Sequence, residues 1–307
     1  MTAIGVSCAR VRVEEKQIIA AAGAAGFVAV PVLPASAPLP PGPASPATAM
    51  LGEHYDAATD TATVVPVQVL VDRGTNRALA AVSLPLARLN GIRTIDAGLA
   101  STGNRVQVAT ALDLAGIPRP ATLIGFSEAS AVAGAARLGH PVTLLGLLPG
   151  SSTTALHDAD TAEAVIEHRV VLGEASEAIV LLQAGAPRPY QRTLVHVVGG
   201  TAVATMGAKA GPKSLALAER VANALDASLV AVELADTEDG LVVWDVHPAA
   251  DFRQATPVGG ISVAEAIVRI AIGGAAAESN GSSRSVSPIG ARARDVEEAR
   301  HGVALSA

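Results

Sequence analysis

The apolar residues of this chain come in short runs, and their spacing constrains the fold more than any other feature. Segments 4–8, 27–32, 64–71, 123–126, 142–148 and 179–183 are rich in Val, Ile and Leu, and Gly, Pro or charged residues punctuate the sequence around them. Apolar runs of about four to eight residues read as buried strands. Between them lie segments of helical length: 13–25, a helix from about Asn76, 105–114, 128–138 and 161–172. Ser127 is a good N-cap and Gly139 a good terminator for the fourth of these. Pro85 is expected to kink or break the helix that holds it. No uninterrupted apolar stretch reaches the roughly 18 residues that a membrane span needs.

The pattern changes in the second half. Residues 194–198 and 201–206 flank Gly199-Gly200 and predict a tight hairpin. Residues 229–234 and 241–246 predict two more strands, joined by the polar loop 236–240. Segment 213–226 predicts a helix, with Leu215, Leu217, Val221, Ala224 and Leu225 as its apolar positions. Ser262 caps a last expected helix, ending near 272. Ser101-Thr-Gly-Asn104 and 150–154 read as turns, and the proline-rich 34–46 as a loop. Residues 273–307 are rich in Gly, Ser, Ala and Arg without apolar periodicity, and most of that tail is expected to be disordered. The order is therefore a βαβ-like first third, a small α+β middle and an antiparallel-rich final third.

A chain of 307 residues points to roughly two or three subdomains. Hydrophobic residues make up 50% and aromatics only 2%, so the core must be aliphatic. The net charge of −6 gives no basic face of the kind nucleic acid requires. Cys8 is the only cysteine, which excludes an intrachain disulfide and a Cys-rich metal site. The start shows no signal-like pattern, and cytoplasmic, non-membrane residence is the expectation. Lysines are scarce: Lys16, Lys209 and Lys213 are all there are.

A series of landmarks narrows the fold further. They are Arg10-Val-Arg-Val-Glu-Glu-Lys16, Val71-Asp-Arg-Gly-Thr-Asn-Arg-Ala-Leu-Ala-Ala81, Gly91-Ile92, Gly103-Asn-Arg105, Ala115-Gly-Ile-Pro-Arg-Pro120, Phe126-Ser127 and Leu138-Gly-His-Pro-Val142. Val197-Val-Gly199, Ala231-Val-Glu-Leu234, Asp245-Val-His247 and Asp251-Phe-Arg253 follow. In this order and spacing, from about residue 2 to 272, the chain resembles the ATP-grasp ligases of the ribosomal-protein S6 glutamate ligase (RimK-like) type. Within that group it resembles the LysX-like ligase that joins α-aminoadipate or glutamate to an amino-group carrier protein. The resemblance implies an α/β and α+β architecture: an N-terminal pre-ATP-grasp domain (1–98), a central subdomain (99–180), a C-terminal subdomain (181–274) and the tail (275–307).

It also implies a chemistry. Such a ligase phosphorylates a carboxylate with ATP, and an amine then attacks the acyl phosphate. This needs cations on the phosphates, oxygen ligands for Mg2+ and an arginine for the charge that develops on the transferred group. Arg105 stands where the family has a phosphate-contacting lysine; it either keeps some phosphate binding or is a solvated residue at a helix start. Leu145 stands where a second lysine bridges adenine and the α-phosphate. Gln183-Ala184-Gly185-Ala186 occupies the adenine hinge, with Ala184 in place of a glutamate. Leu194 replaces the arginine expected near the substrate phosphate, and Arg188 or Arg192 are the nearest substitutes. The segment 207–212 is shorter than the family's loop; with Lys209 it is either a phosphate cradle or a connector.

Glu233, Asp245 and His247 fall at the metal-ligand positions. Either the two carboxylates still share a cation, or they are strand-end acids held by Arg253 or another base; His247 is a poor Mg2+ ligand. Arg253 is the candidate for the substrate carboxylate or for a pair with Asp245, with Phe252 packing beside it. Trp244 and Cys8 read as packing residues. No catalytic residue is assigned. The expectation is a degenerate homologue that acts as a non-catalytic or weakly nucleotide-binding partner, with a carrier protein, an active ligase paralogue or a small amino acid as ligand, in a homo-oligomer. The rival is an active ligase that uses ATP and Mg2+.

Overall fold

The computed structural model describes residues 3–32, 51–56, 61–172, 179–188, 191–238 and 240–279. The expected loop at 34–46 and the tail beyond 279 lie outside the described residues. All three sheets belong to one unit, Met1–Ile272.

The first sheet uses β1 (Ala3–Ser7), β2 (Val28–Val32), β3 (Leu51–Asp56), β4 (Thr61–Asp72) and β5 (Arg93–Ile95), with helices α1 (Val13–Ala24) and α2 (Arg77–Leu89) between them. β1 lies parallel between β2 and β4, and β5 pairs parallel to β4. The first half of β4 instead pairs antiparallel with β3. Ile4 and Val69 pack into one core cluster and Val30 and Leu70 into another. A parallel sheet covered on both faces needs apolar residues at successive positions, which explains the uninterrupted runs. Pro85 does not break α2. Leu84, Leu86 and Ala87 are buried around it, and that packing outweighs the missing N–H.

Two helices follow, α3 (Leu99–Thr102) and α4 (Arg105–Leu114). The expected turn at 101–104 is thus partly helical. Asn104 caps α4, its Oδ1 accepting from the backbone N–H of Val106 and of Gln107, each at 3.0 Å. That cap places Arg105 at the first helical position.

The second sheet has the order β6-β9-β7-β8, all antiparallel. Its strands are β6 (Thr122–Gly125), β7 (Val142–Leu145), β8 (Thr153–Leu156) and β9 (Val180–Ala184), with α5 (Glu128–Leu138) and α6 (Ala159–Leu172) on one face. Val142, Leu144, Val180 and Leu182 pack with Ala131, Ala135 and Ile166 of those helices. Strand alternation therefore turns Thr143, Leu145, Leu181 and Gln183 to the other face. The expected strand 142–148 ends at Leu145, and Thr153 and Thr154, read as a turn, pair with β7.

The third sheet, order β13-β12-β10-β11-β14, is antiparallel throughout. It comprises β10 (Arg192–Val198), β11 (Thr201–Gly207), β12 (Leu229–Thr237), β13 (Gly240–His247) and β14 (Thr256–Pro257), with α7 (Pro212–Ala224) and α8 (Val263–Ser279). Gly199 and Gly200 have φ of 59° and 79°, as a two-residue hairpin turn requires. Val195, Val232, Leu234, Val243 and Val246 pack with Leu217 and Val221 of α7. The last helix runs past its expected end near 272 to Ser279.

Candidate functional site

The face of the third sheet turned away from α7 carries most of the expected site residues. Arg192 and Leu194 alternate along β10, and Leu194 pairs across to Glu233, which pairs with Asp245. His247 follows two positions on. The register then slips: Glu233 faces Asp245 but Leu234 faces Val243, so Trp244 is an extra residue. Val243 and Val246 both pack on the α7 side. A β-bulge thus lets two consecutive residues, Trp244 and Asp245, point to the same face.

Both side chains of the bulge close the space toward the second sheet. Trp244 is 6% exposed, and a Cβ on Gly185 would lie 3.8 Å from its Cη2. Gln183 Nε2 donates to the Trp244 carbonyl at 3.1 Å, so the hinge glutamine is bound to the opposite sheet. Its neighbours are also engaged. The Ala184 N–H donates to the Ala121 carbonyl and the Gly185 N–H to the Pro141 carbonyl, both at 2.9 Å. Ala186 is half-buried beside them.

Arg105 is neither solvated nor open to a ligand. It is 5% exposed and forks onto Asp245, Nε to Oδ1 at 3.0 Å and Nη2 to Oδ2 at 2.5 Å. Its Nη1 donates to the carbonyls of Gly146 and Leu148 and to Ser151 Oγ. The guanidinium therefore pins the loop after β7 and neutralises Asp245, with all three nitrogens in use. Between the two sheets a space of about 40 Å³ remains, lined by Arg105, Leu145, Leu181, Gln183, Trp244 and Asp245 among others.

Beyond the bulge the same face opens. Arg192, Leu194, Met206, Glu233, His247 and Asp251 line an open depression of about 400 Å³. Glu233 sits between Arg192, with Nη1 to Oε1 at 2.9 Å, and His247, with Nε2 to Oε2 at 2.8 Å. Burial works against charging His247, but the hydrogen bond to Glu233 and the fields of Asp245 and Glu233 outweigh it and raise its pKa. His196 lies across Ala231 from His247 and behaves oppositely. Burial, then the nearby Arg73 and His247, push it down to about 4.

Arg253 departs from its expected pairing. It binds Asp251 through Nε at 2.8 Å and lies 3.8 Å from Glu14; it does not reach Asp245, which Arg105 holds. Phe252 packs as expected, 6% exposed, with the Arg73 guanidinium 5.0 Å from its ring centre.

ATP and Mg2+ are what the sequence resemblance implies, and the residues present do not fit them. Among the described residues no group of three His, Cys, Asp or Glu could hold a metal ion. The expected trio shares a face, but both Asp245 oxygens are on Arg105, while Glu233 is held by Arg192 and His247. Leu145, 3% exposed on the cleft face, offers no cation. A space of about 40 Å³ is far below the roughly 300 Å³ at which ligand pockets begin.

Trp244, expected only as a packing residue, lies at the cleft, and Arg105 takes the place beside Asp245 expected of Arg253 or another base. The spacing of Val243 and Val246, both apolar around a Trp-Asp pair, breaks strict alternation and is the signal that could have revealed the bulge.

No protein-family model matches the chain. Solved structures do. A RimK-domain ATP-grasp protein from Sphaerobacter thermophilus is 30% identical, covering 88% of this chain and all of its own, with a TM-score of 0.71. The VanG D-Ala:D-Ser ligase of Enterococcus faecalis is 14% identical over 89% of this chain and 98% of its own, TM-score 0.62. The ATP-grasp ligase PsnB, in complex with a minimal precursor, Mg and ADP, is 14% identical over 88% and 97%, TM-score 0.57. The chain belongs to the ATP-grasp family.

Proposed function

We propose that this chain keeps the ATP-grasp ligase scaffold without its phosphoryl-transfer chemistry, and serves as a binding partner in the ligation of amino acids, peptides or carrier proteins. One observation carries this: the cleft between the second and third sheets is filled down to a space of about 40 Å³, with Arg105 and Asp245 neutralising each other inside it. A guanidinium saturated by protein acceptors has no donor left for a phosphate, and a carboxylate whose charge that guanidinium already offsets attracts a cation less.

What stays accessible is the depression at Arg192, Glu233 and His247. Its charged rim and its Leu194 and Met206 walls suit a small amino acid or the acidic end of a peptide or carrier protein. PsnB is described with nucleotide and precursor together; in this chain the peptide-type function is proposed to persist alone. Arg192 beside Leu194 favours a second function, an active ligase in which Arg192 replaces the missing arginine.

Calorimetric titration separates the two. The expected result is no magnesium-dependent ATP binding in the micromolar range, together with binding of a glutamate-terminated peptide that Arg192→Ala weakens. Tight, magnesium-dependent ATP binding by the unmodified chain would establish the ligase instead.

A further inference from the structure

We propose that Trp244 is a built-in plug: its indole occupies a slot that would otherwise take a planar heteroaromatic group such as the base of a nucleoside. The proposal rests on the non-catalytic function argued above and deepens it, because it names what closes the cleft.

Three observations converge on this side chain. The bulge in β13 exists at Trp244 and nowhere else along its pairing with β12; without the extra residue the face could not carry Trp244 and Asp245 side by side. The ring then reaches across to the second sheet, where Gly185 presents bare backbone at a φ of 85°. Finally, the space left over, about 40 Å³, is on the order of one water molecule. An indole and a purine are both flat, two-ring systems of similar size. One can therefore fill the other's slot, with Leu145 and Leu181 as aliphatic walls.

The plug is also latched. The Trp244 carbonyl accepts from Gln183, and the next residue, Asp245, is clamped by Arg105. These bonds hold the backbone of the bulge, while the ring itself is held by packing against Ala235 and Val242. Trimming the ring should thus open the slot and leave the latch in place.

Adenosine is the appropriate probe. It carries the base and ribose but no phosphate, so the missing cation at Leu145 does not decide the result. Trp244→Ala is expected to bind adenosine at least about tenfold more tightly than the unmodified chain. Trp244→Leu should show a smaller gain in the same direction. Circular dichroism and a cooperative melt establish that each variant is folded. Trp244 is also the only tryptophan in the chain, so the unmodified protein reports on its own plug. Its emission should resist acrylamide quenching, with or without adenosine.

Folded variants that bind adenosine no better than the unmodified chain would overturn the plug and leave the proposed function standing. So would a native indole quenched as readily as free tryptophan. Magnesium-dependent ATP binding by the unmodified chain with a red-shifted emission would overturn the proposed function but keep Trp244 as a movable gate. The same binding with unchanged emission would sink both.

Discussion

Around Trp244 and Asp245 the face of the third sheet is closed by Gln183, Arg105 and the loop after β7, whereas at His247, two residues beyond Asp245, the same face opens into a depression. The two halves hold the same kinds of group, an arginine on a carboxylate in each. In the closed half the side chains of Arg105 and Asp245 are 5% and 7% exposed; in the open half those of Arg192 and Glu233 are 33% and 16% exposed. The contrast shows how a binding face can lose a ligand without losing its charges. Where water is excluded, oppositely charged side chains must satisfy one another. Where water remains, they stay available to exchange partners.

The largest expected effect comes from breaking the closed half. Arg105→Ala strands Asp245 as a buried charge and leaves the Gly146 carbonyl without its donor, while the Leu148 carbonyl keeps the Ser151 hydroxyl. Removing one partner of a buried pair typically costs about 3–5 kcal/mol. Arg105→Lys should recover only part, since an ammonium cannot reproduce the fork. Replacing both partners, as Arg105→Met with Asp245→Leu, should recover more than either single change predicts. Chemical denaturation reads all three. If Arg105→Ala were nearly neutral, the closed half would not depend on this pair.

A second, smaller effect separates the two histidines beside Ala231. His196 has a native pKa of about 4 against an ordinary 6.5. Below pH 6.5 the unfolded chain takes up a proton that the native chain refuses, so stability should fall as pH drops toward 4. The gap corresponds to about 3 kcal/mol. His247 is raised, so its contribution is complete below its ordinary value and is lost as pH climbs through the native one. Urea melts at about pH 7 and about pH 4 test this. His196→Leu should flatten the acid limb, and Glu233→Gln should lower the His247 midpoint in an imidazole titration by NMR. An unchanged acid limb in His196→Leu would place the loss elsewhere, in the carboxylates.

Much of this architecture is legible from local pattern. The helices at 105–114 and 128–138 begin and end where expected because Asn104 and Ser127 cap them with their own side chains. Strands β3 and β8 are not legible for the opposite reason: Leu51–Asp56 and Thr153–Leu156 are mostly polar or threonine-rich, and pairing with β4 and β7 makes them strands. In the site, it is the family resemblance that puts Glu233, Asp245 and His247 together, at its metal-ligand positions on two expected neighbouring strands, and the register pairs Glu233 with Asp245. The partner of Asp245 was not legible, because Arg105 is 140 residues away in sequence and only the folded chain brings them together. That one distant contact changes a candidate phosphate ligand and a candidate metal ligand into each other's counter-ion.

The smallest effect is the sharpest control on the comparison. Arg119 and Asp113 form the same fork as Arg105 and Asp245, with Nε to Oδ1 at 2.8 Å and Nη2 to Oδ2 at 2.6 Å. The Asp113 side chain, however, is 56% exposed and that of Arg119 21%. Solvent screens such a pair and competes for both partners, so Asp113→Asn should cost less than about 1 kcal/mol in the same denaturation series. Added salt should shrink that cost further, while the Arg105–Asp245 pair should respond little. The two forks share their geometry but not their surroundings, since Asp245 Oδ1 also accepts the Val246 N–H and Arg105 also holds the loop after β7. A larger cost for Asp245→Asn therefore reads burial together with those added bonds. Equal costs would mean that the closed cleft owes its rigidity to packing around Trp244, and not to charges withdrawn from water.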